Sequence, residues 1–154
     1  MIKSPRGMIA AMVVSATALV GIVTYEGYSG SAYVPVPGDV ATIGFGTTEG
    51  VKPGDKTSPV EALGRALADI QKFDKALKQC VIVPLHQYEY DAYLSLAYNI
   101  GPGAFCGSTL VVKLNMLDYI EACKQILRWD KFKGKPLAGL TTRRKAEYIL
   151  CTGK

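Results

Sequence analysis

Read for its apolar and polar positions, the chain falls into an uncharged stretch, an irregular stretch and a series of amphipathic segments. Residues 7–25 carry no charge at all. Residues 26–48 lack a helical period, and their short apolar runs are broken by Pro37-Gly38-Asp39, a turn signal. This predicts one or two short strands in a hairpin, with Thr42-Ile43-Gly44-Phe45-Gly46 as the second. Residues 50–55 read as a loop. Ser58, Pro59 and Glu61 then stand at the N-cap, first and third positions of a helix, and Leu63, Leu67, Ile70, Phe73 and Leu77 keep helical spacing to about Lys78.

A second helix is predicted over residues 87–99, with Tyr90, Ala92, Tyr93, Leu96 and Ala97 on a broad apolar face and Gly101-Pro102-Gly103 as its stop. Ser108 or Thr109 opens a helix to about Asn115, and Asp118 opens another to Trp129. Residues 131–135 read as a basic, exposed loop. Thr141 or Thr142 starts the last helix, with Arg143, Arg144, Lys145 and Glu147 exposed in part and Ala146, Ile149 and Leu150 turned inward. A small β element followed by five or six helices is an α+β fold, predominantly helical. No internal repeat or second globular unit is visible.

The uncharged stretch changes the picture. It follows Lys3 and Arg6 and is 19 residues long, just enough to span a bilayer, but is rich in Ala, Gly, Ser and Thr. The expectation is an uncleaved, weakly inserting export signal. A signal cleaved after Ala16-Thr17-Ala18, a permanent anchor and a buried core helix are the other readings. The first three place the remaining chain on the oxidising side of a membrane. Cys80, Cys106, Cys123 and Cys151 agree, being even in number and matching no metal pattern. Of three possible connectivities, Cys80–Cys106 with Cys123–Cys151 is favoured.

The chain has 154 residues, enough for one core, and a net charge of +5, which suits an anionic partner. With a single histidine, His86, and no paired cysteines at zinc spacing, a conventional zinc site is not expected. His86 reads as a helix-start residue, and the short glycine elements read as turns. An acid and base pair is the remaining chemistry. Glu26 directly follows the apolar segment, where apolar and aromatic neighbours favour its protonated form. Asp39, in the hairpin turn, reads as a solvated carboxylate, and Thr42 offers a hydroxyl to hold water. Two carboxylates in unlike environments suit glycoside hydrolysis.

At these residues the sequence resembles the phage lysozyme, or endolysin, family. The resemblance rests on Glu26-Gly27, Tyr33, the Pro-Gly-Asp turn and Thr42-Ile43-Gly44-Phe45-Gly46. It continues through Gln87, Asp91-Ala92, Ser95-Leu96 and Tyr98-Asn99-Ile100-Gly101, then Ser108-Thr109-Leu110 and Leu114-Asn115. It closes on Gly139-Leu140, Arg143-Arg144, Ala146-Glu147 and Leu150-Cys151. It implies a lysozyme-like fold, with a β-hairpin lobe and a helical lobe, that cleaves peptidoglycan between N-acetylmuramic acid and N-acetylglucosamine.

By the same resemblance Glu26 is the general acid and Thr42 the catalytic-site threonine, with Asp39 as the second carboxylate. Here the chain departs from the family, whose usual offsets fall on Pro35 and Val36. A lytic transglycosylase using Glu26 alone, or a wall-binding protein without catalysis, are the rival readings. The resemblance further implies no metal or cofactor, no nucleic acid, and a monomer acting on peptidoglycan. It divides the chain into a signal-arrest-release segment, 1–25, and a catalytic domain, 26–154. The first is held in the inner membrane of a Gram-negative host and later released to the periplasm.

Overall fold

The structure, a computed structural model, describes residues 5–154; residues 1–4, and with them Lys3 of the basic start, lie outside the described part. The uncharged stretch does not form one long helix. Gly7 and Leu85 exchange two backbone hydrogen bonds of 2.8 Å. A 3-10 turn follows at Ile9–Ala11, with Ile9 buried. Lys78 Nζ donates to the Met12 carbonyl and Gln87 Nε2 to that of Val13. Helix α1 (Ala16–Glu26) then begins at Ser15, whose hydroxyl accepts from the Ala18 amide. Ser15 in turn donates to Asp91 at 2.7 Å. At 11 residues α1 is too short to cross a membrane, and among the described residues no helix is long and apolar enough to do so.

Strands β1 (Ser29–Tyr33) and β2 (Thr42–Gly44) pair antiparallel, with Ser29 opposite Gly44 and Tyr33 opposite Thr42. Gly44 has φ +64°, and a Cβ there would fall 2.8 Å from the Ala62 Cβ. The residue is therefore what lets the hairpin lie against α2 (Pro59–Cys80). That helix opens with the expected capping box between Ser58 and Glu61.

Helix α3 (Gln87–Ile100) is the axis of the core, with Tyr90, Tyr93, Leu94, Leu96 and Ala97 fully buried. Its first residues are fastened by the Glu89 carboxylate, which accepts from the His86 amide. Arg6 grips the same carboxylate with Nε and Nη2 at 2.9 and 2.7 Å and lies over the Tyr119 ring. The remaining helices are α4 (Pro102–Cys106), α5 (Thr109–Asn115), α6 (Tyr119–Gln125) and α7 (Ala138–Thr152). Disulfides join Cys80 to Cys106 and Cys123 to Cys151, the favoured pairing. The α+β, mainly helical architecture is as expected.

Local expectations fail in four places. The helix expected from Asp118 to Trp129 is α-helical only over Tyr119–Gln125 and tightens into a 3-10 turn at Ile126–Arg128. Gly101 ends α3, but Pro102 starts a further short helix, since proline is well suited to a first helical position. The basic loop at 131–135 contains a two-residue hairpin, β3 (Lys131–Phe132) with β4 (Lys135–Pro136). Helix α7 begins at Ala138 rather than Thr141, and its N-cap Leu137 makes no side-chain cap. Its faces are also largely exchanged: Arg143, Arg144 and Glu147 are buried and Ala146 and Ile149 exposed, while Lys145 is exposed and Leu150 packs against the core as expected. Opposite charges that neutralise one another can occupy an interior that a hydrophobic pattern would not assign to them.

Candidate functional site

Glu26 is the last residue of α1, and Gly27, at φ +71°, turns the chain away beyond it. A helix C-terminus carries partial negative charge, so a carboxylate there needs a cation. Arg143 of α7 supplies it, with Nη1 3.2 Å from Glu26 Oε1. The guanidinium is held from three further sides. Nη2 donates to the Ser95 carbonyl at 3.2 Å, Nε donates to Glu147 Oε1 at 3.2 Å, and the Tyr25 ring lies beneath, its centroid 4.7 Å away.

Glu147 anchors this cluster. Its Oε1 also accepts the Ser95 hydroxyl at 2.7 Å and Arg144 Nη2 at 3.1 Å. Arg144 Nε stands 2.9 Å from Oε2 in a charge contact whose N–H is not aligned for a hydrogen bond. Burial pushes the Glu147 carboxyl above its usual range, against the pull of the two guanidiniums and the Ser95 hydroxyl. Arg144 Nη2 also donates to Asn99 Oδ1 at 3.0 Å, tying the cluster to α3.

Glu26 is a quarter exposed and lines two cavities, which together form a groove around its carboxyl. One, of about 350 Å³, has Gly46, Thr48 and Glu49 on one wall, Asp69, Lys72 and Phe73 of α2 on another, and Tyr98 and Asn99 of α3 as the third. The other, of about 340 Å³, is lined by Gly27, Tyr28, Ser29, Tyr33 and Gly44. Tyr98 is pushed up to about 12, chiefly by burial and further by the charges of Glu26 and Asp69, so its hydroxyl keeps its proton. Lys72 pairs with Glu49 and with Asp69, and Thr47 Oγ1 donates to Asp69 at 2.8 Å. An extended polar groove, flanked by tyrosines and with a carboxyl midway, suits an uncharged or weakly charged polymer such as a glycan.

The three residues singled out from sequence are not all in this groove. Asp39 lies on the exposed tip between β1 and β2, its Oδ1 accepting from the Val40 amide. Thr42 is buried at the start of β2, with its hydroxyl on the Val40 carbonyl at 3.3 Å. Neither lines either cavity that Glu26 lines. Glu26 itself was expected among apolar and aromatic neighbours; tyrosines do flank it, but its direct partner is a cation 117 positions away. Arg143, Tyr98, Asn99 and Gly46 were not identified as site residues. The available signals were the glycine spacing at 44 and 46 and a Glu three and four places after an Arg pair on one helix. Among the described residues no cluster of His, Cys, Asp or Glu could hold a metal ion.

Known proteins resemble this chain in sequence and in fold. The family model described as phage lysozyme matches residues 23–147. The chain is 41% identical over 143 residues to an endolysin of Acyrthosiphon pisum secondary endosymbiont phage 1, covering 90% of this chain and 97% of that one. It is 36% identical over 140 residues to a protein of Pseudomonas phage phiKMV named SAR-endolysin, covering 88% and 86%. Among solved structures, a lysozyme mutant of phage P22 superposes with a TM-score of 0.82 at 33% identity, over 92% of this chain and 99% of that one.

Proposed function

Because the chain belongs to the phage lysozyme family, and so to the glycoside hydrolases, we propose that it hydrolyses the β-1,4 bond between N-acetylmuramic acid and N-acetylglucosamine in peptidoglycan. The observation that carries this reading is Glu26, a quarter exposed and shared by two polar cavities, so that a glycan chain can lie on either side of the acid. Glu26 gives its proton to the glycosidic oxygen as the C1–O bond breaks. Water adds to C1 and returns a proton. Asp39, on the exposed tip of the hairpin, positions that water or offsets the positive charge at the sugar when the glycan is bound, with Thr42 starting the strand that follows it. The fixed cation at Arg143 keeps the acid oriented. The bound sugar stacks on the tyrosine-lined walls.

A second reading has one observation in its favour, the position of Asp39 outside both cavities. Glu26 acting alone would direct the muramyl C6 hydroxyl onto C1, forming a 1,6-anhydro ring without water, as in a lytic transglycosylase. Mass analysis of the muropeptides released from purified peptidoglycan decides between them. Reducing ends bear out hydrolysis; anhydro ends assign the enzyme to the transglycosylases.

The N-terminal segment has two habitats in this account. Residues 1–25 hold the exported chain in the inner membrane, and on release residues 5–25 dock onto residues 26–154 in the periplasm. Two observations support this. The segment is apolar on all sides, yet docking buries only part of it and leaves Met8, Val13 and Val20 at least 61% exposed. The phiKMV relative also carries the name SAR-endolysin. Cell fractionation tests it: the chain should partition with membranes and move to the soluble periplasmic fraction when the membrane potential is collapsed.

A further inference from the structure

Arg143 has more partners than an ion pair with Glu26 needs. A guanidinium left to itself grips a carboxylate with two parallel N–H groups. Here Nε is taken by Glu147 and Nη2 by the Ser95 carbonyl, so Nη1 alone reaches Glu26. Both constraints come from one assembly, because Ser95 is itself fixed to Glu147 through its hydroxyl. Glu147 is nearly fully buried and cannot trade these partners for water.

Resting on the proposed glycoside hydrolysis, we infer that Glu147 is a positioning residue for Glu26, acting through Arg143. It turns the guanidinium so that one N–H, rather than a two-pronged fork, reaches the acid, and it shares the cation's charge between two carboxylates. A general acid must be held in place and still keep a proton to give. A fork committed to Glu26 would satisfy the first need and defeat the second, by stabilising the carboxylate. The groups facing Glu147 are Arg143 and Arg144 on α7, Ser95 and Asp91 on α3, and Tyr25 on α1; Asp91 and Tyr25 line the same small cavity as Glu147. Removing the Glu147 charge leaves Glu26 as the carboxylate in contact with Arg143.

The test is the pH dependence of peptidoglycan cleavage by the full chain. Glu147→Gln should move the alkaline limb, where the acid has lost its proton, down by about one pH unit, which is about tenfold in rate on that limb. Glu147→Asp, which keeps the charge, should return the limb toward wild type. The single Gln variant leaves Arg144 without its counter-ion, so Arg144→Met with Glu147→Gln, which removes one charge of each sign, is measured beside it and should show the same shift. Arg144→Met alone completes the cycle and gives the shift that loss of Arg144 itself causes, against which the double variant is read. A limb that stays at the wild-type pH in whichever Gln variants fold, with the rate merely scaled at every pH, overturns the inference. Wild type that releases no fragments overturns the underlying hydrolase reading instead, and wild type that cleaves while Glu26→Gln does not establishes it separately.

Discussion

A Cβ placed on Gly46 would stand 3.3 Å from Glu26 Oε2, and the Gly46 backbone is at φ +90°. The loop after β2 thus comes close enough to the candidate acid to form one wall of its groove, and only a residue without a side chain fits there in that conformation. Gly46→Ala meets both obstacles. The left-handed backbone costs about 1–2 kcal/mol. The methyl group displaces the Glu26 carboxylate by a few tenths of an ångström or pushes the loop outward. Clearing of peptidoglycan should fall by roughly tenfold to hundredfold, as for other small misplacements of a reacting group, with a modest loss in Tm. Parallel thermal melts and rate measurements check it, and an unchanged rate would remove Gly46 from the site.

The second prediction concerns Arg6. It lies near the start of the described chain, yet its guanidinium is the cation on Glu89, a carboxylate only 3% exposed. Arg6→Gln leaves that carboxylate with the His86 amide and, among the described residues, no positive partner. The loss should be about 2–3 kcal/mol, read from urea unfolding, with increased protease sensitivity in residues 5–15. A variant as stable as wild type would mean that the N-terminal segment is not fastened at this point.

Asp91 gives a prediction with a sign. Burial raises its pKa above the ordinary carboxylate value, while hydrogen bonds from Ser15 and Gln87 act the other way. An acid weaker in the folded than the unfolded state adds stability that is full below the unfolded value, about 4, and is lost as pH rises through the folded value. Wild type should therefore lose stability from this group on going from pH 4 upward toward neutrality. Asp91→Asn removes that contribution and should flatten the slope of Tm against pH over the same range. An unchanged slope would rule Asp91 out as its source.

Asp39 is exposed, and among the described residues its side chain bonds only to the next amide of its own turn, so Asp39→Asn should leave the free energy of unfolding within about 0.5 kcal/mol of wild type. If the hairpin tip reaches the bound glycan as proposed, the rate of clearing should nonetheless fall by about tenfold or more. A rate equal to wild type, together with anhydro products, would point to Glu26 working without a second carboxylate.

Much of this architecture was readable locally. The start of α2 follows from Ser58, Pro59 and Glu61, three neighbours whose capping bonds close on one another. The long apolar face of residues 87–99 predicts α3, and the spacing of the four cysteines favours the disulfides that form. Glu26 stands out for a similar reason, as a carboxyl at the end of an apolar segment, but its proposed role as the acid comes from the family resemblance. Its environment was not legible. The pairing of Glu26 with Arg143 joins the two ends of the chain, and no periodicity in either segment refers to the other. Helix α7 shows the cost of a local reading most clearly. Its charged residues suggest a solvated face, but Arg143 and Arg144 are balanced by Glu147 and Glu26, and with Ser95 and Asn99 to bond they become interior.

The most direct test of the account is Glu26→Gln. Glutamine keeps the size of the side chain and can still accept the Arg143 N–H, so the fold should survive, as circular dichroism would show; what it loses is the proton. With folded wild type and variant at equal concentration on purified peptidoglycan, the account predicts clearing by wild type and a rate lower by about a hundredfold to ten-thousandfold in the variant. A folded Glu26→Gln protein that clears peptidoglycan at close to the wild-type rate would contradict it, and the acid would have to be sought elsewhere in the groove.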